Sequence, residues 1–176
     1  MAVKEKFSED EWYLIATVPS MVGAAMAGAG KSGIIGTTKE AMASMKSIVA
    51  GKNDYPNNEV IGGILEKAES FSDAKEKAGA FREKALGDLK SQNIKSPDEF
   101  NSYMLGNCEQ AIALVMDRCG AGEADEYRQW AMDIAEKVAR AASEGGFLGF
   151  GGEQVSDGER QLLAKIEQTL GGNSVA

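Results

Sequence analysis

The sequence predicts an all-α protein, a single-domain helical bundle of about seven helices over residues 1–176. Three serine-glutamate capping boxes mark helix starts, and apolar residues recur with the period of an amphipathic helix. No stretch alternates apolar and polar residues over the length of a half-buried strand. No linker is long enough to divide the chain into two domains, so one hydrophobic core is expected.

The capping boxes have the form S-x-x-E, in which the serine hydroxyl and the glutamate carboxylate each accept a backbone N–H at the helix start. The pairs Ser8 with Glu11, Ser96 with Glu99, and Ser156 with Glu159 fit this pattern. Proline follows Ser96 at the first helical position, where it is favoured. Helices are therefore expected to begin at residues 9, 97 and 157.

Apolar spacing and glycines supply the other boundaries. Apolar residues recur every four positions from Trp130 to Val138, and glycines at 120, 145 and 171 stand just past three predicted helix ends. Residues 1–7 and 171–176 are expected to be frayed termini. The predicted helices are 9–29 with a kink or break near Pro19, 38–50, 57–70, 73–92, 97–119, 123–143 and 157–170.

The composition argues against several classes of function. The net charge of −8 would repel a polyanion, so nucleic acid is not an expected partner. The chain has 0 histidines, which excludes histidine-activated nucleophiles, histidine metal ligands and histidine proton shuttles. Whether the chain is an enzyme is left open, with a non-catalytic role favoured and no cofactor expected.

The apolar stretch at residues 12–30 has no charged residue over 19 positions, a length that could span a bilayer. Pro19, glycines and small residues dilute it, and the acidic residues 9–11 stand where a signal peptide carries basic ones. Cys108 and Cys119 fall on one predicted helix, about 16 Å apart along its axis and beyond disulfide reach. We expect no membrane span, and a cytoplasmic protein whose cysteines are reduced and buried.

Two segments imitate nucleotide-binding motifs. Ala25–Ser32, A-M-A-G-A-G-K-S, matches a loose phosphate-binding loop, and Ile112–Asp117, I-A-L-V-M-D, imitates its magnesium-binding partner. That chemistry requires a strand leading into the glycine-rich turn, whereas both segments adjoin or lie in predicted helices. The first is therefore interpreted as a turn between two alanine-rich helices.

Acidic residues cluster at 9–11, 123–126 and 157–159, each in the first turn of a predicted helix. The helix dipole favours carboxylates there, so helix-start electrostatics account for them without a metal or a catalytic role.

The segment Glu144–Glu159, E-G-G-F-L-G-F-G-G-E-Q-V-S-D-G-E, is the most distinctive in the chain. Glycines there permit close backbone approach, while large apolar side chains are costly to leave in water. Two interpretations stay open, a plug between helices and an exposed tip that docks a partner or lipid. The candidate interaction loop consists of Gly146, Phe147, Leu148, Gly149 and Phe150.

This segment, with the S-E-D-E-W opening at Ser8–Trp12 and the small-residue helix at Met21–Ala29, resembles a family of uncharacterised bacterial all-α proteins. The resemblance implies a helical fold and carries no activity. Val155, Ser156 and Glu159 also match a helix start that is similar to TerB-like tellurite-resistance domains. That similarity implies a metal-binding or small-molecule-binding module in stress response, with Glu144, Asp157 and Glu159 as candidate ligands.

The leading hypothesis is a non-catalytic cytoplasmic protein that acts by binding a protein partner or by self-association, and the TerB-like module is the alternative.

A further pattern suggests internal symmetry. Gly33–Gly36 and Gly146–Gly149 each place two apolar residues between glycines after a small-residue helix. We therefore predict two helix-loop-helix units packed about a pseudo-twofold axis, with the two alanine-rich helices in contact and with Ile34, Ile35, Phe147 and Leu148 largely buried in the loops.

Overall fold

A computed structural model gives the structure of residues 2–29, 34–66, 83–143 and 156–170. These residues are helical and contain no strand, which confirms the all-α fold class. In chain order the elements are a 3-10 helix (Val3–Lys6), α1 (Glu9–Ala29), α2 (Ile34–Asp54), α3 (Glu59–Ile64), α4 (83–91), α5 (Pro97–Cys119), α6 (Ala121–Ser143) and α7 (Asp157–Leu170).

All three predicted capping boxes form. The Ser8 N–H donates to the Glu11 carboxylate at 2.7 Å, and the Glu11 N–H donates to the Ser8 hydroxyl at 3.2 Å. The same reciprocal pair joins Ser96 to Glu99, at 2.9 and 3.2 Å. Ser156 and Glu159 repeat it at 2.7 and 3.3 Å. Helices α1, α5 and α7 therefore begin where the sequence predicted.

Helices α2 and α3 differ most from their predicted bounds. Helix α2 runs over Ile34–Asp54 instead of 38–50, because single glycines cost a helix only about 1 kcal/mol and Gly51 packs against Trp130. Helix α3 ends at Ile64 instead of 70, after the weak helix formers Gly62 and Gly63. Residues 67–82, where parts of two helices were predicted, lie outside the described residues.

Helix α1 lies at the centre of the bundle and packs against α2, α5, α6 and α7. Its buried residues Ile15, Val18, Val22 and Met26 recur at helical spacing and belong to the main hydrophobic core. By length and composition α1 is also apolar enough to cross a membrane, but half of its apolar window is buried inside the bundle. Packing against four helices accounts for that apolar character.

Of the kink or break expected near Pro19, the break does not occur, since α1 is continuous from Glu9 to Ala29. A proline inside a helix leaves the carbonyl four residues earlier without its N–H donor, which here is the carbonyl of Ile15. The buried Tyr127 hydroxyl donates to this oxygen at 2.6 Å. A side chain of α6 therefore satisfies the acceptor that the proline frees.

Residues near the N-terminus, which the sequence predicted to be frayed, contact the bundle. Val3 and Phe7 are buried, and the Phe7 ring lies 5.8 Å from the ring of Trp12. The 3-10 helix packs against α3, where a Cβ added to Gly63 would stand only 2.7 Å from the Val3 side chain. The contacts of this segment are therefore apolar, and its fraying stays a prediction.

The predicted pair of symmetric units keeps one of its parts. The alanine-rich helices α1 and α6 do pack together, and a Cβ added to Gly23 would lie 3.6 Å from Ile134. Ile34, Ile35 and Gly36 are helical, however, so the loop assigned to them is wrong. Residues 146–149 lie outside the described residues, and the symmetry itself stays a prediction.

Candidate interaction surface

Helix α2 has the reverse of the usual distribution of side chains between its buried and exposed faces. At 100° per residue, Glu40, Ser44, Ser47 and Gly51 fall within about 60° of one another around the axis. All four are buried, Glu40 with 0% and Ser47 with 2% of its surface exposed. A surface helix ordinarily buries its apolar stripe, so this polar and small inner face is unusual.

The inner face packs closely because its residues are small. A Cβ added to Gly51 would stand 2.3 Å from the indole nitrogen of Trp130, and one added to Gly23 would stand 1.9 Å from the Ser44 hydroxyl oxygen. The Ser47 hydroxyl and the Trp130 indole nitrogen are buried and find no hydrogen-bond partner in the described part of the chain. Close approach of these small residues therefore holds this face of α2 against the bundle.

The outer face of α2 carries large apolar side chains in water. Met42, Met45 and Val49 are 53%, 68% and 65% exposed. They fall within about 60° of one another, on the side of the helix opposite the buried residues. We call these three residues the α2 ridge.

Two lysines border the α2 ridge. Lys52 lies at one edge of the stripe and Lys46 at the other, and both are exposed. Neither forms an ion pair with any residue that the structure describes. The surface is therefore apolar with a positive border, on a chain whose net charge is −8.

The candidate loop of the sequence analysis, Gly146 to Phe150, lies outside the described residues, as does Glu144. Asp157 is exposed and pairs with Arg160 at 3.1 Å. Glu159 is buried and caps α7 through Ser156, while its second carboxylate oxygen has no hydrogen-bond partner among the residues that the structure describes. Among the described residues, no group of three or more acidic or cysteine side chains could hold a metal ion.

The other acidic clusters serve as caps and ion pairs. Glu11 caps α1, and Asp10 pairs with Lys84 at 2.7 Å. The Glu123 carboxylate accepts the N–H groups of Glu59 and Val60, both at 3.1 Å. Glu123 therefore caps α3, not the helix in which it lies, and this connects α6 to α3.

The segments that imitate nucleotide-binding motifs lie mostly in helices. Residues 25–29 belong to α1 and Ile112–Asp117 lies within α5, so no strand leads into either segment. Residues 30–33 of the first motif lie outside the described residues. The described geometry therefore lacks the strand-turn-helix arrangement that phosphate binding requires.

The two cysteines are free thiols in unlike surroundings. Cys108 is fully buried, and burial raises the pKa of its thiol to about 12. Cys119 is half-buried, differing from the full burial expected, and its sulfur lies 4.0 Å from the Lys6 ammonium. Burial also raises the pKa of Cys119, and Lys6 partly opposes that rise. Neither thiol is activated as a nucleophile.

No protein-family model, curated protein or solved structure matches the chain. The two family resemblances drawn from the sequence stay predictions.

Sequence reasoning missed the α2 ridge, although a signal was present. The spacing of Met42, Met45 and Val49 forms one helical stripe, and Glu40, Ser44 and Ser47 form the opposite one. A reader of the sequence would place the apolar stripe in the core, because that is the usual arrangement. Only the packing of α2 on Trp130 and Gly23 shows that the polar stripe faces inward.

Proposed function

We propose that this chain is a non-catalytic interaction protein that acts in the cytoplasm and binds another polypeptide through the α2 ridge. The observation that carries this proposal is the reversed helix α2, which buries a polar and glycine face and leaves two methionines and a valine in water. Sequences usually break such local rules at functional sites. Methionine also suits a binding surface because its side chain is flexible and polarizable.

The free energy of burying apolar side chains also favours binding of a partner at the α2 ridge. Burying a methionine or valine side chain contributes about 1.5–3 kcal/mol when it starts fully exposed, and these three residues start more than half exposed. Covering the α2 ridge would therefore contribute on the order of 1 kcal/mol for each residue. The lysines at its edges would add orientation and partner selectivity more than affinity.

The test uses a photo-crosslinking amino acid placed at position 45 in the full chain, within the cells that make the protein. The matched control places the same group at Gln110, an exposed position in α5 outside the ridge. We expect light-dependent products of defined mass from position 45 and none from position 110. Equal yields from both positions, or no product from either, would contradict an interaction role for α2.

A second measurement separates binding from folding. Because Met45 is 68% exposed, Met45→Gln should change the free energy of unfolding by less than about 0.5 kcal/mol. The same substitution combined with Met42→Gln should remove the cross-linked product formed from position 49. A large loss of stability would instead mean that the ridge packs within its own chain.

A further inference from the structure

We propose that the partner of the α2 ridge is a second copy of this chain, which receives it in the groove between α6 and α7. This inference rests on the proposed function of α2 and adds the identity of the partner and of the receiving surface.

The groove has a volume of about 350 Å³ and is lined by residues of α6 and α7. Met132 and Leu170 give it apolar lining. Asp125, Glu136 and Glu167 line it with three carboxylates, of which Asp125 pairs with Arg128 and Glu136 with Arg140. The groove is therefore apolar and negatively charged, and the α2 ridge is apolar with a positive border.

The same molecule cannot place its own α2 ridge in this groove. The residues of α6 that contact or adjoin α2 include Trp130, Asp133 and Lys137, through Gly51, Tyr55 and Asp54. These positions lie roughly 120° around α6 from the positions that line the groove. In addition, the ridge is on the side of α2 that faces away from the bundle. The two complementary surfaces are thus available only to different copies.

Pairing of one α2 ridge with another is less favourable. A twofold arrangement would bring Lys46 and Lys52 of both copies into a single seam, where like charges repel. Seating the ridge in the groove of a neighbour instead places both lysines near Glu136 and Glu167. Glu136 already pairs with Arg140, whereas Glu167 is exposed and forms no ion pair with any described residue, which makes Glu167 the main acceptor for a lysine.

This contact is heterologous, because it joins two different surfaces. Each bound copy presents a further groove and a further ridge, so association continues beyond the dimer or closes into a ring. The ridge is small compared with the surface that each partner buries in a stable complex, and we therefore expect weak, rapidly reversible association.

The experiment is sedimentation equilibrium of the full chain over a range of concentrations, at low and high salt. We expect the weight-average mass to rise with concentration, either continuing beyond the mass of a dimer or levelling off at the mass of a closed ring. High salt should weaken this association. The double reversal K46E/K52E should lower the association constant at least about tenfold, and E136K/E167K should do the same. The controls K4E/K90E and E83K/E109K change equal numbers of exposed charges outside both surfaces.

Mixing supplies the decisive result. Each double variant alone sets like charges against each other, whereas in an equimolar mixture every contact between one variant and the other restores opposite charges. We expect association in the mixture to return to near the wild-type level. Thermal melting of each variant verifies folding, and the salt dependence of the wild-type chain tests the charge contact without any substitution.

Three outcomes would overturn the proposal: a wild-type chain that stays monomeric, association that neither reversal weakens, or a mixture that does not recover. If the chain is monomeric while position 45 cross-links to a different polypeptide, the α2 ridge keeps its interaction role and only the second copy is wrong. If position 45 yields no product and the chain is monomeric, both proposals fail.

Discussion

Pro19 leaves one backbone carbonyl of α1 without its N–H donor, and Tyr127 of α6 supplies a hydroxyl donor in its place. The proline removes the N–H that would bond to the Ile15 carbonyl, and the Tyr127 hydroxyl replaces it at 2.6 Å from a neighbouring helix. Tyr127 is fully buried and its ring packs edge-on against Trp130, with 6.0 Å between ring centroids. The hydroxyl therefore lies where no water is available to take over its role.

Tyr127→Phe should accordingly destabilise the protein by about 1–3 kcal/mol, because it leaves a buried carbonyl without a donor. Pro19→Ala restores the backbone donor, so Tyr127→Phe should cost less when that substitution is already present. Urea unfolding of the four chains of this double-mutant cycle measures the coupling. Equal costs in both backgrounds would mean that the Tyr127 hydroxyl does not compensate for the proline.

At Gly51 the absence of a side chain matters because it leaves room for a neighbouring ring, and not because of the backbone conformation. It lies in α2 directly beneath the Trp130 indole, whose nearest atom would stand 2.3 Å from an added Cβ. Since Trp130 is itself buried, the ring has no open space into which it can move.

We expect Gly51→Ala to destabilise the protein by about 1–3 kcal/mol through overpacking, despite the better helix propensity of alanine. Gly106 is the matched control, since it is a helical and exposed glycine in α5 with nothing within 4 Å of an added Cβ. Gly106→Ala should stabilise by roughly 0.5–1 kcal/mol. Thermal or urea unfolding gives both values, and the same sign for the two changes would contradict the packing argument.

At the scale of whole elements, the capping boxes fix where three helices start. In each box a serine hydroxyl and a glutamate carboxylate satisfy backbone N–H groups that the helix leaves without partners. Each box is local in sequence, so its effect on stability does not depend on the rest of the fold.

Ser96→Ala and Ser156→Ala should each cost about 1 kcal/mol of unfolding free energy, because the hydroxyl acceptor is lost. Ser102→Ala is the control, since that hydroxyl lies within α5 and donates to the Asp98 carbonyl instead of capping a helix end. Denaturant unfolding should show the first two variants destabilised and the control nearly unchanged.

The caps also make stability depend on pH. Hydrogen bonds from the Lys95 and Ser96 N–H groups lower the pKa of Glu99 below its ordinary value of 4.5. The Ser8 N–H lowers the pKa of Glu11 in the same way. Because these pKa values are lower in the folded chain, the unfolded chain binds more protons in the interval below 4.5.

The unfolding free energy should therefore be highest above that interval and fall as the pH drops through the folded pKa values. Glu99→Gln removes one titrating group, so the loss of stability on acidification should become shallower. Urea unfolding at several pH values below neutrality measures the slopes, and an identical slope in Glu99→Gln would contradict this account.

For the molecule as a whole, packing in the core around α1 determines how accessible each of the two cysteines is to a thiol reagent. Cys108 is fully buried in that core, whereas Cys119 is half-buried at the C-terminal end of α5. The main core residues come from α1, α3, α5, α6 and α7, so exposure of Cys108 requires the bundle to open.

A thiol reagent at neutral pH should therefore modify Cys119 first and Cys108 much more slowly. Burial raises the pKa of Cys108 to about 12, which further reduces its reactive thiolate form. Cys119→Ser should leave only the slow reaction, whose rate should follow global unfolding as denaturant is added. Rapid modification of Cys108 in the folded protein would show that the bundle opens locally.

The sequence by itself determined the all-α class, the starts of α1, α5 and α7, and the small-residue character of α1. These features depend on interactions within a few residues of one another, which a reader of the chain can recognise from spacing alone. The reduced state of the two cysteines also followed from their separation along one helix.

Only the tertiary structure decided which face of α2 is buried, how α1 continues through Pro19, and that Glu123 caps α3. Each depends on a residue far away in the sequence, namely Trp130, Tyr127 and the first turn of α3. The spacing of α2 shows two stripes but not which of them faces the core. Gly23 and Gly51 permit close approach of α2 to the bundle, so the small residues of α2 face inward and the α2 ridge is exposed to water.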